Sequence, residues 1–328
     1  MTAVRYAIVG GAGFIGAHAV DRLLSRPEVE AVTVYDNFTS GRAWHLAAHV
    51  EDPRLRVVHD DVKHLEPLVE ALSGTETVVH LASNPDIAAA AADPTIDFWE
   101  GTFLTNQVME AARQAGVSTI LYASGSGVYG DVGVVASTED QGSLEPVSTY
   151  GASKLAGEAL LASYAHMFGM RCRAFRFGNV VGPHQTHGVG FDFVRRLLAE
   201  PTRLVILGDG RQSKSYIHVA DVLDAVFLAE SLAAADEADP FQAFNVATGD
   251  YITVTEIAAL AMQVVGLDPA EVLVEYTGGD RGWRGDVPVV RLDTARIRSL
   301  GWDNARNSAQ ALTAAMESML ADFTSGRM

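Results

Sequence analysis

The segment VRYAIVGGAGFIG, residues 4–16, decides the fold of this chain. Its first six residues predict a buried strand, and the residues from Phe14 onward have the apolar spacing of a helix. Glycines at positions 10, 13 and 16 allow a tight turn between the two and would let a pyrophosphate approach the helix N-terminus. The segment therefore predicts a nucleotide-binding loop, the alternative being a strand-to-helix turn without a ligand.

Outward from this segment, short apolar strands alternate with helical patterns. Strands are predicted at residues 31–35, 55–59, 77–81, 119–123 and 172–177, and helices at 14–25, 95–115 and 148–168. Nearly all-apolar runs such as TVVHLA are typical of strands buried on both faces of a parallel sheet. This order predicts an α/β fold with a Rossmann-type doubly wound parallel sheet.

After residue 177 the alternation becomes less regular. Helices are predicted at residues 191–199, 219–234, 254–265 and 308–323, and short strands at 204–207 and 244–246. We expect a nucleotide-binding domain over residues 1–177, rejoined by parts of 217–248. Residues 178–328 would mainly form a smaller α/β substrate domain.

The charge balance excludes some partners. The 328 residues carry 24 Lys+Arg against 41 Asp+Glu, a formal net charge of −17. This charge argues against nucleic acid or an anionic membrane surface, although a small phosphorylated ligand needs only a few local cations. The single cysteine, Cys172, excludes a cysteine-built zinc site, and we expect no metal. No apolar stretch approaches the ~20 residues of a membrane-spanning helix and no signal peptide is recognised, so a cytoplasmic protein is expected.

Two carboxylates follow predicted strands. Asp36 ends the second strand, 20 residues beyond Gly16. A carboxylate there can accept hydrogen bonds from an adenosine ribose and would repel a 2′-phosphate, which favours NAD over NADP. Asp61, after the third strand, either meets the adenine or caps the helix predicted to start near Lys63.

A tyrosine and a lysine open the predicted helix 148–168. Tyr150 and Lys154 are four residues apart, which places them on one helix face. A tyrosine of ordinary pKa, near ~10, is a poor base at neutral pH, and a neighbouring ammonium favours the phenolate. The pair could therefore remove a hydroxyl proton while NAD accepts a hydride.

These motifs together resemble the extended short-chain dehydrogenase/reductase family. The resemblance rests on GGAGFIG, Asp36, HLAS at residues 80–83, VYG at 128–130, YGASK at 150–154 and RFGNVVGP at 176–183. It extends over essentially the whole chain and is greatest for the NAD-dependent sugar epimerase/dehydratase group, the UDP-galactose (UDP-glucose) 4-epimerases in particular. It implies an isomerase that acts on a nucleotide sugar, and helices 95–115 and 148–168 resemble those of a homodimer interface.

The resemblance also implies roles for individual residues. Tyr150 would be the base, and Lys154 its electrostatic partner and a ribose contact. Asn179, Lys214 and Arg281 would bind the diphosphate region of the substrate, unless the two cations are solvated surface residues. The cofactor-binding residues would be Gly10, Gly13, Phe14, Ile15, Gly16, Asp36, Asn37, Ser40, Asp61, Val62, Leu81, Ala82, Ser83, Tyr150 and Lys154.

The chain departs from the family pattern at Gly125, where a Ser or Thr is usual. Ser124, Ser126, a water or a substrate hydroxyl could take the place of that side chain, and we expect Ser126 to do so in part and to contact the substrate. The next two positions, Ser126 and Gly127, carry Asp-Glu in related 4,6-dehydratases, and decarboxylases have Glu at the second. Without these carboxylates the sequence favours a 4-epimerase over a dehydratase, decarboxylase or ketoreductase. A catalytically weak NAD-binding protein is the remaining alternative.

Overall fold

The computed structural model describes residues 4–84, 90, 92–233, 239–283 and 285–327. The chain divides into two compact units. Unit 1 consists of Met1–Val128, Ser148–Arg176 and Ala225–Phe244, and unit 2 of Tyr129–Val147, Phe177–Asp224 and Asn245–Met328.

The strands and helices alternate over most of the chain. The strands are β1 (Val4–Val9), β2 (Val29–Asp36), β3 (Leu55–His59), β4 (Thr77–His80), β5 (Thr119–Gly125), β6 (Arg171–Phe177), β7 (Asn179–Val181), β8 (Arg203–Ile206), β9 (Ser213–Lys214), β10 (Tyr216–His218), β11 (Phe241–Val246), β12 (Ile252–Thr253) and β13 (Leu273–Tyr276). The helices are α1 (Phe14–Leu24), α2 (Leu65–Leu72), α3 (Leu104–Ala115), α4 (Thr149–Phe168), α5 (Val189–Ala199), α6 (Val219–Ala233), α7 (Val254–Val265), α8 (Ala295–Ser299) and α9 (Ser308–Thr324).

A seven-stranded sheet in the order β11-β6-β5-β4-β1-β2-β3 organises unit 1. The β1–β2, β1–β4, β2–β3 and β4–β5 pairs are parallel. All four residues of β4 are buried, as the apolar run predicts for a strand covered on both faces. The strand order reverses direction between β1 and β4, which is where such sheets open a crevice at their carboxyl ends. The predicted Rossmann-type fold is confirmed.

The core of unit 1 lies between this sheet and its helices. Leu68 of α2, Met109 of α3 and Leu161 of α4 are completely buried in it, together with Cys172 of β6. Burying a side chain of leucine size contributes about 1.5–3 kcal/mol each. The core therefore holds α4 firmly against the sheet.

The helix predicted over residues 95–115 is helical from residue 96 to residue 115 and contains a π-helical stretch. A π-helical segment, Phe98–Phe103, precedes α3. A Cβ atom on Gly101 would lie 2.7 Å from the Ser153 Oγ, so the backbone of this segment approaches α4 closely. Asp97, at the start of the segment, is thereby brought next to the beginning of α4.

Unit 2 contains three two-stranded pairs. The β7–β10 and β8–β13 pairs are parallel, and the β9–β12 pair is antiparallel. The buried faces of α5, α7 and α9 supply its core, with Leu197, Ile257 and Met316 completely buried. Capping boxes start α7 at Thr253 and α9 at Asn307, which satisfies their first N–H groups.

One expectation about the organisation differs from the structure. Tyr129–Val147 belongs to unit 2, whereas residues 1–177 were expected in one domain. The Ser137 N–H donates to the Arg291 carbonyl oxygen at 3.0 Å, and the Tyr129 hydroxyl donates to Asn245 Oδ1 at 2.7 Å, which ties the segment to unit 2. The helix predicted over residues 219–234 corresponds to α6, and residue 234 lies outside the described residues.

Among the described residues, no helix is both long and apolar enough to cross a membrane. Within the same ranges, no three His, Cys, Asp or Glu side chains form a group that could hold a metal ion.

Candidate functional site

The loop between β1 and α1 excludes side chains at its glycines. A Cβ on Gly10 would lie 2.7 Å from the Ala82 nitrogen, and one on Gly16 would collide with the Gly10 carbonyl oxygen. Gly10 also has a φ of +85°, a conformation that favours glycine. No side chain caps α1, whose N-cap is Gly13, so its first N–H groups remain available for an anion. These features fit the pyrophosphate of a dinucleotide.

Other predicted cofactor residues surround this loop. Phe14 and Ile15 form the half-buried first turn of α1, and Ser40 is exposed in the loop after β2. Leu81 and Ala82 both donate N–H groups to the Val9 carbonyl oxygen, at 2.9 and 3.0 Å. This pairing places the end of β4 beside the glycine loop.

The Asp36 carboxylate is buried and holds the backbone around it. Its Oδ2 accepts the Ala12 N–H at 2.9 Å, and its Oδ1 accepts the Phe38 N–H at 2.8 Å. Burial raises the pKa of Asp36, although these two N–H groups counteract the effect. Each carboxylate oxygen keeps a second lone pair that could accept a ribose hydroxyl.

Asn37 and Asp61 are brought together, and Val62 beside them is buried. Asn37 Nδ2 donates to Asp61 Oδ2 at 3.0 Å. The other Asp61 oxygen accepts the Lys63 N–H at 2.9 Å, but α2 begins only at Leu65, so Asp61 closes a turn and does not cap the helix directly. Burial alone would raise the pKa of Asp61, but the hydrogen bonds from Lys63 and Asn37 lower it overall.

The start of α4 fixes the positions of Tyr150 and Lys154. Ser148 is the N-cap, and its Oγ accepts the Gly151 N–H at 3.1 Å. Lys154 is 3% exposed, and its Nζ lies 5.5 Å from the centre of the Tyr150 ring. The same Nζ donates to the Ala123 carbonyl oxygen at 2.8 Å. The ammonium is therefore held below the tyrosine, as the four-residue spacing predicts.

Burial shifts the proton affinities of both residues. It lowers the pKa of Lys154 to about 8, although the charge of Asp97 acts in the opposite direction. Burial also raises the pKa of Tyr150 to about 12. The Ser83 side chain acts against this rise, and the charge of Asp97 adds to it. A tyrosine in this state needs neighbours that stabilise its phenolate before it can act as a base.

His80, the first residue of the HLAS motif, is fully buried behind this pair. Its Nε2 lies 3.1 Å from the Thr105 hydroxyl. Burial, with the charge of Lys154 as a smaller cause, lowers the pKa of His80 to about 3. The imidazole is therefore neutral and packed in the core.

The two serines that flank Gly125 have different surroundings. Ser124 is buried, and its hydroxyl donates to Glu158 Oε1 at 2.5 Å. Glu158 also pairs with Arg176 at 2.6 Å in the core, so the Ser124 hydroxyl is engaged there, which disfavours it as a proton partner of Tyr150. Ser126 is half-buried and starts a 3-10 turn, and a Cβ on Gly125 would meet nothing within 4 Å.

A buried carboxylate that the sequence analysis missed links two parts of this site. Asp97 accepts a hydrogen bond from Asn84 Nδ2 at 2.9 Å and one from the Thr149 hydroxyl at 2.7 Å. Thr149 directly precedes Tyr150, and Asn84 directly follows Ser83. The only signal in the sequence is a carboxylate within the otherwise apolar and aromatic stretch IDFW.

The three predicted diphosphate residues all lie in unit 2 and share one neighbourhood. Asn179 Nδ2 donates to the Ser215 carbonyl oxygen at 3.4 Å, next to Lys214. Lys214 Nζ lies 2.6 Å from Asp286 Oδ1, and Arg281 donates to the Asp286 carbonyl oxygen at 2.5 Å. Arg281 also pairs with the Asp131 carboxylate at 2.6 Å, so both cations have a carboxylate partner. Lys214 is therefore not a solvated surface residue.

Comparison with known proteins agrees with this geometry. Residues 6–247 match the NAD dependent epimerase/dehydratase family. The UDP-glucose 4-epimerase of Mycolicibacterium smegmatis is 32% identical over 323 residues, which cover 96% of this chain and 98% of that protein. A crystal structure of a UDP-galactose 4-epimerase is 35% identical with a TM-score of 0.85, and covers 97% of this chain and 99% of its own.

Relatives with another activity are also similar. A double mutant of the dTDP-glucose 4,6-dehydratase of Streptomyces venezuelae, solved with NAD bound, is 28% identical with a TM-score of 0.85 over 96% of both chains. The cofactor is NAD, as the glycine loop and Asp36 predict. The family match extends over most of the chain and includes the glycine loop, Asp36 and the Tyr150–Lys154 pair. The chain therefore belongs to the NAD dependent epimerase/dehydratase family.

Proposed function

We propose that this protein is an NAD-dependent 4-epimerase of a nucleotide sugar, with UDP-glucose and UDP-galactose as the substrate pair, acting through a transient 4-keto sugar. The observation that carries the proposal is the buried Lys154 ammonium held under Tyr150, with no carboxylate at Ser126 or Gly127. Removal and return of a hydride at C4 need one base, whereas elimination of water needs a further acid and base. The similarity to two 4-epimerases agrees with this choice.

Residues of unit 1 have separate roles in proton transfer. The Tyr150 phenolate takes the proton of the sugar 4-hydroxyl, becoming the phenol, and later returns it. The Lys154 ammonium stabilises the phenolate, and its hydrogen bond to Ala123 fixes it in that position. A bound NAD would supply the hydride acceptor for C4 and, once reduced, the hydride donor. The Asp36 carboxylate would hold the adenosine ribose, and the glycine loop the pyrophosphate.

Reversal of the configuration at C4 requires that the 4-keto sugar rotate between the two hydride transfers, so that the hydride returns to its opposite face. Gly125 leaves open space where a side chain would stand. The diphosphate, anchored through Asn179, Lys214 and Arg281, would serve as the axis of rotation. The Lys214 ammonium has three donors, of which Asp286 uses one, so a phosphate oxygen can still be bound.

Product analysis by NMR tests the function. The NAD-loaded protein is incubated separately with UDP-glucose, UDP-N-acetylglucosamine and UDP-glucuronate. We expect the C4 epimer without net oxidation of the sugar. An unsaturated, decarboxylated or reduced product would assign a dehydratase, decarboxylase or ketoreductase instead, and no conversion in the presence of bound NAD would indicate a binding protein.

Selectivity for NAD is expected to depend on the charge of Asp36. Asp36→Asn keeps an acceptor oxygen but removes the charge that repels a 2′-phosphate. Two unit charges about 5 Å apart interact by roughly 3 kcal/mol at an effective dielectric constant of about 20, so the affinity ratio of NAD to NADP should fall about 10²-fold. Calorimetric titration with both cofactors measures the ratio. Asp52→Asn, which removes a carboxylate paired with Arg54, is the control and should leave the ratio unchanged.

Substrate anchoring is expected to depend on Lys214 and Arg281. Lys214→Ala and Arg281→Ala should each raise the KM for the nucleotide sugar about tenfold or more, because a charge-assisted hydrogen bond contributes about 1.5–3 kcal/mol. NAD affinity should not change. Titration with UDP measures the same loss without turnover, and unchanged UDP affinity in both variants would show that the diphosphate binds elsewhere.

We also propose that the protein forms a homodimer through the helix pair α3–α4. Apolar side chains on this pair and the preceding π-helical segment are exposed, with Phe98 at 51% and Met167 at 72%. Phe98→Glu and Met167→Glu should each shift the mass measured by light scattering from dimer toward monomer. Val134→Glu is the control, because Val134 is even more exposed, at 77%, but lies in unit 2. A monomeric unmodified protein would refute the proposal.

A further inference from the structure

Two aromatic rings lie close to the Lys154 ammonium, and only one of them belongs to the residue that would accept the substrate proton. Lys154 Nζ lies 5.2 Å from the centre of the Tyr122 ring on β5 and 5.5 Å from the centre of the Tyr150 ring on α4. A cation over the face of a ring, within about 6 Å of its centre, is attracted by the electron density of that face, most strongly where water is excluded. Lys154 and Tyr122 are 3% and 1% exposed. Tyr122 therefore favours the charged form of a lysine that burial disfavours.

The Tyr122 ring is fixed in this position by two elements. On β4, the residue paired with it is His80, whose neutral ring is centred 5.3 Å from that of Tyr122 and whose Nε2 lies 3.1 Å from the Thr105 hydroxyl. On α4, Gly157 leaves room for the phenol, because a Cβ there would lie 2.4 Å from the Tyr122 hydroxyl oxygen. A close-packed interior gives such a ring little freedom to turn. The fold therefore holds the Tyr122 ring next to the ammonium.

The carboxylates around Lys154 have other partners. Asp97 favours the ammonium through its charge, but both of its oxygens are hydrogen-bonded to other side chains. Glu158, one turn further along α4, pairs with Arg176 at 2.6 Å. Among the described residues, Lys154 Nζ makes one hydrogen bond, which it donates to the Ala123 carbonyl oxygen at 2.8 Å. The two rings therefore supply stabilisation that no ion pair gives to this charge within the described residues.

We propose that Tyr122 is a positioning residue for proton transfer, whose ring keeps Lys154 in its ammonium form next to Tyr150. Without this stabilisation, a proton shared between the two groups moves from the Lys154 nitrogen to the Tyr150 oxygen, and the phenolate that accepts the sugar proton becomes a phenol. Only these N–H and O–H bonds change, and Tyr122 itself exchanges no proton. The inference rests on the proposed function for its effect on turnover, but the effect on Lys154 does not depend on the substrate.

Titration of Lys154 tests the contact without turnover. The chain contains three lysines, Lys63, Lys154 and Lys214, so carbon NMR of protein with isotope-labelled lysine follows each of them. In the Tyr150→Phe background, where no second group shares the proton, Tyr122→Leu should raise the proton dissociation constant of Lys154 about tenfold, because the ring no longer stabilises the charge. Tyr122→Phe keeps the ring and should leave this constant nearly unchanged. The other two lysines, each paired with a carboxylate, are internal controls.

A graded series separates the electrostatic effect of the ring from its packing. Phenylalanine, difluorophenylalanine and trifluorophenylalanine are introduced in place of Tyr122, because fluorine withdraws electron density from the ring face with little change in shape. The dissociation constant of Lys154 should rise with each step of fluorination. The same substitutions at Phe175, a residue of β6 that is 1% exposed and stacks on Phe244, are the control and should leave the constant unchanged. Equal Lys154 constants across the series at Tyr122 would overturn the inference.

Turnover measures what the contact contributes to the reaction. In the NAD-loaded protein with Tyr150 intact, Tyr122→Leu should lower kcat about tenfold, because the phenolate population falls by the same factor as the charged lysine is destabilised. Tyr122→Phe should recover most of kcat. An unchanged kcat in Tyr122→Leu, despite a shifted Lys154 titration, would also overturn the positioning role. If the unmodified protein converts no nucleotide sugar, the proposed function fails, while the titration still decides whether Tyr122 holds the ammonium.

Discussion

Tyr150→Phe should lower kcat by about 10²–10⁴-fold, the range that a positioned general base contributes. The substitution removes the oxygen that accepts the sugar proton while keeping the ring that packs near the Lys154 ammonium. NAD affinity should be nearly unchanged, because the glycine loop and Asp36 are untouched. Steady-state kinetics with the nucleotide sugar that gives product, together with calorimetry of NAD binding, measure both quantities.

Tyr164→Phe provides the matched control for this prediction. Tyr164 lies on the same helix, and its hydroxyl donates to Glu110 at 3.3 Å at the other end of α4. Its loss should leave kcat within about twofold, because surface substitutions away from special features have small effects. Full activity of Tyr150→Phe would refute the mechanism, since the mechanism assigns the proton to the Tyr150 oxygen.

Arg176→Met should destabilise the protein by about 3–5 kcal/mol, the usual cost of leaving one charge of a buried pair without its partner. Arg176 and Glu158 are only 5% and 4% exposed, and the guanidinium contacts both carboxylate oxygens of Glu158. Without Arg176, the Glu158 carboxylate would be left with the Ser124 hydroxyl at 2.5 Å as a partner. The free energy of unfolding is measured by urea denaturation followed by circular dichroism.

A surface ion pair gives the comparison for this experiment. Arg203 and Glu275 lie 2.6 Å apart with side chains 47% and 43% exposed, so Arg203→Met should cost less than about 1 kcal/mol. The double substitution Glu158→Leu with Arg176→Met should recover part of the lost stability, because it removes both buried charges. Equal effects of Arg176→Met and Arg203→Met would show that the core pair contributes no more than a surface one.

The sequence by itself determined the features that depend on neighbours within a few residues. The strand–loop–helix at residues 4–16, the carboxylate ending β2 and the Tyr150–Lys154 spacing are all local. Apolar periodicity indicates which face of one element is buried, and a glycine indicates a turn at its own position. A four-residue spacing indicates that two residues share one face of a helix. For the same reason β1, β3 and α7 have the predicted bounds, and most of the other predicted elements differ by one to three residues at one end or both.

Only the tertiary structure decided which distant polar groups meet. Ser124 and Glu158 are 34 residues apart, Asp97 and Thr149 are 52 apart, and Lys214 and Asp286 are 72 apart. A hydrogen bond needs two groups at about 3 Å in a suitable direction, and no local pattern in the chain reports that distance. The same limit explains why Tyr129–Val147 was expected in the first domain: its bonds are made to residues more than a hundred positions later, such as Asn245 and Arg291. The fold brings these residues together, and the sequence records only that each of them is polar.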